Sequence, residues 1–99
     1  LASSSCQSAE FDRATLIGAD FTKADLSGSA FRFGVLIGAN FSEANLSMTG
    51  LWGLDLLNVN FTNANLTGAN LKGSTNFNSD QPGIIFNFTT MPDGTVRTD

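Results

Sequence analysis

Ninety-nine residues with nine acidic and five basic side chains, a net charge of −4 and no histidine describe one small domain with a mild negative balance. Without histidine there is no imidazole base, no Ser-His-Asp triad and no histidine metal ligand, and one cysteine builds neither a zinc site nor an intrachain disulfide. No apolar run approaches the ~20 residues of a membrane-spanning helix, and the lack of an initial Met reads as a fragment or a processed chain, with any removed signal peptide invisible.

Leu1 to Ser5 is a serine-rich lead-in, expected to fray. Cys6 follows, five residues before Phe11, and reads as a small buried hydrophobe. Ser3 and Ser5 suit a lipid-anchor motif poorly. From residue 11 to residue 71 every fifth position is Leu or Phe: Phe11, Leu16, Phe21, Leu26, Phe31, Leu36, Phe41, Leu46, Leu51, Leu56, Phe61, Leu66 and Leu71. A helical face needs apolar residues at spacings of three and four, and a half-buried strand at two. A spacing of five is instead internal repetition. A unit this short cannot bury its own apolar residue, so units must wind into coils and the coils must stack. A second beat of twenty sets the coil length. Phe21, Phe41 and Phe61 are followed by Thr22, Ser42 and Thr62, while Leu16, Leu36 and Leu56 are followed by Ile17, Ile37 and Leu57. Residues twenty apart should therefore stack, as in a four-sided solenoid.

The units ADFTK, ADLSG, ANFSE, ANLSM, ANLTG and ANLKG resemble the consensus A-(D/N)-L-X-X of the pentapeptide-repeat family, over residues 9–73. The resemblance implies an all-β fold, a right-handed quadrilateral β-helix, with the Leu/Phe and the small residue two before it pointing inward. It implies one domain over residues 1–99, comprising a β-helix over 6–75 and a short non-repeat C-terminal cap over 76–99. The tail segment TTMPDGT also resembles cyanobacterial and plant members, some directed to the thylakoid lumen or periplasm, and those compartments are favoured. Asn87 and Thr89 stand near where such relatives carry cysteine, which argues against a disulfide-bearing form.

Within the repeat, Leu54 is too large for its small-residue slot, and Gly34, one coil away at the same corner, is expected to make room for it. Asn and Asp recur just before the Leu/Phe, where they suit turns and could stack into ladders along the axis. Glycines such as Gly18, Gly38 and Gly68 end the unit, where a corner needs positive φ. N-X-(S/T) triplets at Asn40, Asn45, Asn60 and Asn65 are a by-product of the consensus rather than glycosylation signals. The beat stops at Asn76. Beyond it, Gln81-Pro82-Gly83 reads as a turn, Ile84, Phe86 and Phe88 as a strand, and Met91-Pro92-Asp93-Gly94 as a second turn.

Carboxylates fall on the structural Asn/Asp position, so no catalytic, cofactor or metal site is expected, and the chain reads as non-enzymatic. One feature exceeds what the coil requires. Ile17, Ile37 and Leu57 place an apolar residue at the outward position after the Leu/Phe in three successive coils, and Phe33 and Trp52 lie on the adjoining side. A stripe of this kind suggests a docking surface for a protein partner or weak self-association of a monomer, with Arg32 and Lys72 flanking the indole. The alternative is a DNA-mimic inhibitor of a gyrase-type topoisomerase, as in some family members. Against it, residues 1–75 hold Glu10, Asp12, Asp20, Asp25, Glu43 and Asp55 but also Arg13, Lys23, Arg32 and Lys72. That is not the dense negative field of a phosphate backbone, and no nucleic-acid partner is expected either.

Overall fold

The computed structural model describes residues 1–98. Parallel bridges join Ser5 to Asp25, Glu10 to Ala30, Thr15 to Val35 and Asp20 to Asn40, and the same spacing of twenty recurs as far as Asn70 with Thr90. The result is a four-sided β-helix measuring 29 × 23 × 22 Å. Its sides are too short to be strands. Among the described residues the named strands are β1, Thr89–Thr90, and β2, Val96–Arg97.

The corners explain the period of five. At most corners the N–H three residues after the Leu/Phe returns to that residue's carbonyl, as from Ala14 to Phe11 at 3.1 Å and from Ala44 to Phe41 at 3.0 Å. The residue two after the Leu/Phe has positive φ, and among these are Arg13 (58°), Lys23 (60°) and Glu43 (60°) as well as the glycines. Positive φ at the third turn position alone is the mark of a type II turn. The lead-in joins the first coil rather than fraying: Ser3 N–H donates to Thr22 O at 2.7 Å, and Ser4 O accepts from Asp25 N–H at 2.9 Å.

The inward residues form one continuous column. Phe21 lies on Phe41 with ring centroids 5.0 Å apart and planes 2° from parallel, and Phe41 on Phe61 at 5.6 Å and 8°. Phe11 and Phe31 stack on the opposite side at 4.7 Å, and the two stacks meet edge to face, as between Phe31 and Phe41. The rings are fully buried from Phe21 to Phe61, with Leu26, Leu46 and Leu66 on one intervening side and Leu36 and Leu56 on the other. Cys6, Phe11 and Leu16 in the first coil are half-buried against this column. Buried hydroxyls in the small slots are all bonded, Ser29 to Leu26 O at 2.5 Å and Thr49 to Leu46 O at 2.6 Å.

Three further expectations need correction. The Asn and Asp side chains do not bond one to the next along the axis. Each turns its Oδ1 to the N–H two residues on, as Asp20 to Thr22, Asn40 to Ser42 and Asn60 to Thr62, all at 2.9 Å, because that donor is nearer than the neighbouring coil. Gly34 is needed for a different neighbour. A Cβ there would lie 2.6 Å from the backbone oxygen of Ala14 in the coil before. Buried Leu54 stands on the other side, where its N–H bonds to Ser74 Oγ instead of closing its own turn.

The third of these corrections concerns Ile84, Phe86 and Phe88, which do not form a strand. Phe86 enters the column of Leu26, Leu46 and Leu66 and is 5 % exposed, whereas Phe88 sits at the turn position with φ 52° and is 68 % exposed. The coil takes one large inward residue in five, so Phe88 has to face out. The ladder holds here as well: Leu66 N–H donates to Ile85 O at 2.9 Å and Leu71 N–H to Thr90 O at 2.8 Å. The Met91–Gly94 turn then closes with Gly94 N–H on Met91 O at 2.8 Å, and β2 returns antiparallel to β1. Between the repeat and this last stretch, residues 76–80 leave the register. Asn76 has φ 61°, and Phe77 packs edge-on against Phe61 and Phe86.

Candidate interaction surface

Ile17, Ile37 and Leu57 share one side of the β-helix, each following an inward Leu, and each pointing out for that reason. Ile17 is 63 % exposed and Leu57 43 %, while Ile37 between them is half-buried. Phe33 lies at the corner next to this side and is 56 % exposed. Its backbone has φ 57°, a conformation that a bulky residue seldom adopts. The repeat imposes it, as it does at Lys23 and Glu43, so the φ alone is not a functional mark. The ring lies over the bare backbone of Gly53, where a Cβ would come within 2.5 Å of Phe33 Cδ1, and the Arg13 guanidinium sits 5.6 Å from its centroid.

Trp52 leans the other way. Its ring covers Gly50, where a Cβ would lie 2.5 Å from Cζ3, and the Arg32 guanidinium is 5.1 Å from its centroid. Arg32 is fixed in turn by Asp12, with Nη2 to Oδ2 at 2.6 Å and Nε to Oδ1 at 3.0 Å. Those hydrogen bonds hold the Asp12 carboxyl below its ordinary pKa and the guanidinium above its own. Lys72, which follows Trp52 by one coil, is exposed and reaches toward the Gly94 turn. The structure therefore brings Phe33 to the edge of the apolar side and separates half-buried Trp52 from it.

Exposed Met48 (68 %), Phe88 (68 %) and Ile85 (51 %) lie on the far side, and the sequence reading did not single them out. The signal at Met48 was a large residue in a column of glycines, since Met48 stands between Gly28 and Gly68 and its sulfur rests where a Cβ of Gly68 would be. Among the described residues no group of three or more His, Cys, Asp or Glu side chains could hold a metal.

A four-sided β-helix with one unit per corner is the architecture of a solenoid of pentapeptides. The family model of pentapeptide repeats matches residues 1–32, 9–47 and 39–75, and this chain belongs to the pentapeptide-repeat family, whose fold is the right-handed quadrilateral β-helix. It is similar to a pentapeptide repeat protein from the Arabidopsis thaliana thylakoid lumen, with 29 % identity and a TM-score of 0.64 over 97 % of this chain and 70 % of that one. It is also similar to HetL, a pentapeptide repeat protein involved in heterocyst differentiation regulation from the cyanobacterium Nostoc sp. strain PCC 7120. There the identity is 26 % and the TM-score 0.50, over 98 % of this chain and 51 % of HetL. No curated protein sequence matches.

Proposed function

We propose that this chain is a non-enzymatic protein-interaction module, with Ile17, Ile37 and Leu57 as the core of the docking surface, Phe33 at its corner and Trp52 beyond it. The observation that carries the reading is the exposure of apolar residues at the same outward position of successive coils, where the other sides place Thr22, Ser42 and Thr62 or Ser27, Ser47 and Thr67. A solvated coil has no need of them, and covering what each one leaves exposed is worth at most roughly 1.5–3 kcal/mol. A protein partner is favoured over DNA mimicry because the surface acids are partly neutralised, Asp12 by Arg32 at 2.6 Å and Glu43 by Lys23 at 3.9 Å. The thylakoid-lumen relative and the TTMPDGT tail support a thylakoid-lumen or periplasmic setting. No helix of the described residues is long and apolar enough to cross a membrane.

The test is the triple variant Ile17→Ser, Ile37→Ser, Leu57→Ser, examined by thermal melting and by pull-down from native extract. The expected outcome is a melting temperature within a few degrees of the parent, because outward positions contribute little to stability, together with loss of the captured partner. A variant that unfolds, or that captures the same proteins as the parent, would overturn the assignment.

A further inference from the structure

Beside Leu57 the ladder loses its next coil: Asn40 and Asn65 each bridge to the residue twenty further on, and Asn60 has no such bridge among the described residues. In the coils before it, the N–H two residues after the inward Leu donates to the next coil: Gly18 to Ile37 O and Gly38 to Leu57 O, both at 2.9 Å. The carbonyl of the following residue accepts in return, Ala19 O from Asn40 N–H at 2.9 Å and Ala39 O from Asn60 N–H at 3.0 Å. One coil further on, the Asn58 N–H and the Val59 C=O have no partner among the described residues. The cause is the departure of residues 76–80 from the register. The gap is sharply bounded. Leu56 N–H still reaches Thr75 O at 2.9 Å, and Phe61 N–H is met by Gln81 Oε1 at 2.6 Å, a side chain standing in for the absent carbonyl.

Between this edge and residues 76–81 the departure opens a cleft of about 720 Å³. Its lining carries no charged side chain; Leu57 and Phe77 supply apolar surface, and Asn60, Thr62 and Asn78 supply amides and a hydroxyl. A main-chain donor and acceptor side by side, uncharged walls and an apolar margin complement a peptide main chain rather than an anion, a metal or a nucleic acid.

We propose that this cleft receives a segment of a partner protein as the missing rung of the ladder, main chain to main chain. The rungs already present specify its shape. The residues that meet Gly38 N–H and Ala39 C=O are Leu57 and Asn60, three apart around a corner. A guest must likewise offer a carbonyl at one residue and an N–H three residues later, with positive φ between them. A sequence of the form Leu-X-Gly-small-Asn satisfies this, and adding a strand to an exposed sheet edge is a general mode of peptide recognition. The proposal rests on the docking reading above, since Leu57 belongs to both surfaces.

The probe is the acetylated and amidated heptapeptide Asn-Leu-Thr-Gly-Ala-Asn-Leu, the sequence of residues 65–71, titrated into the ¹⁵N-labelled full chain. A saturable shift of the Asn58 amide resonance and at least tenfold slower exchange of its proton are expected. The same peptide with proline in place of its second Asn lacks the donor for Val59 C=O and should bind about tenfold more weakly, the worth of one hydrogen bond. Binding that leaves Asn58 unmoved, no saturation, or equal binding of the proline peptide overturns the proposal. So does slowing of Asn58 exchange by raised protein concentration alone, which would make the occupant a second copy of this chain. Ile17→Ser with Ile37→Ser separates the two readings, because neither residue lines the cleft. If that pair abolishes partner capture while the peptide still binds, both readings stand. If the peptide fails while capture still depends on the pair, only the cleft proposal falls.

Discussion

Residues 21–75 and residues 81–91 follow the same twenty-residue coil with very different sequences. The first stretch spells the repeat almost without exception, and its inward residues are fully buried. The second has lost the A-N-L pattern, yet Phe86 fills the Leu66 column, Thr89 occupies the small slot with its hydroxyl on Leu66 O at 2.6 Å, and Phe88 takes the turn position. The coil needs an inward apolar residue, something small enough two before the next one, and a residue that tolerates positive φ. Ala, Asn and Leu are frequent answers rather than the only ones. Residues 76–80 mark the limit, because Asn76 at an inward position cannot enter an apolar column, and the chain leaves the ladder there.

The comparison breaks most visibly under large-to-small changes in the column. Phe41→Ala, in the middle of a ring stack with coils on both sides, should cost about 3–5 kcal/mol. Phe86→Ala should cost less, below about 3 kcal/mol, because the Arg97 guanidinium 4.0 Å from its centroid and the β1–β2 hairpin can settle onto the gap. Ser42→Ala, at an outward position, should stay within ~0.5 kcal/mol. Denaturant melts of the three rank them, and equal losses for Phe41 and Phe86 would mean that the tail is as tightly packed as the repeat.

A smaller effect belongs to Gly34→Ala. Its added methyl meets backbone rather than a mobile side chain, so the coil itself must shift, at roughly 1–3 kcal/mol. Adding Leu54→Ala should restore part of that loss if Leu54 is what presses Gly34 toward Ala14; strict additivity in a double-mutant cycle would refute the coupling.

The smallest effect is the response to acid, and it sharpens the likeness between the two regions. Asp20 in the repeat and Asp93 in the tail each accept from the side chain and the N–H two residues on, Thr22 and Thr95, and both carboxyls are held below the ordinary Asp pKa. A lowered folded-state pKa contributes stability above the unfolded value, near 3.8, and that contribution disappears as pH falls through the folded value. With no histidine to titrate between pH 5 and 8, melting temperature should be nearly flat there and fall below about pH 4. Carbon-detected NMR titration should find both carboxyls below the ordinary Asp value of 3.8, and Asp20→Asn with Asp93→Asn should lessen the acid sensitivity.

The sequence by itself determined the coil. A Leu or Phe at each fifth residue from 11 to 71 leaves one solution that buries all of them, and the echo at twenty sets four units to a turn. Ile17, Ile37 and Leu57 were legible for the same reason, since register alone puts them outside on one side. Tertiary structure decided whatever depends on the neighbouring coil. That Phe33 and Trp52 diverge follows from which glycine backbone each ring can lie on, Gly53 or Gly50. That Gly34 answers to Ala14 follows from how closely two coils approach at one corner. The open Asn58 N–H and Val59 C=O exist because the chain leaves the ladder eighteen residues later, at Asn76. A pattern of side chains states which residues turn inward, but a missing backbone partner appears only when the next coil is in place.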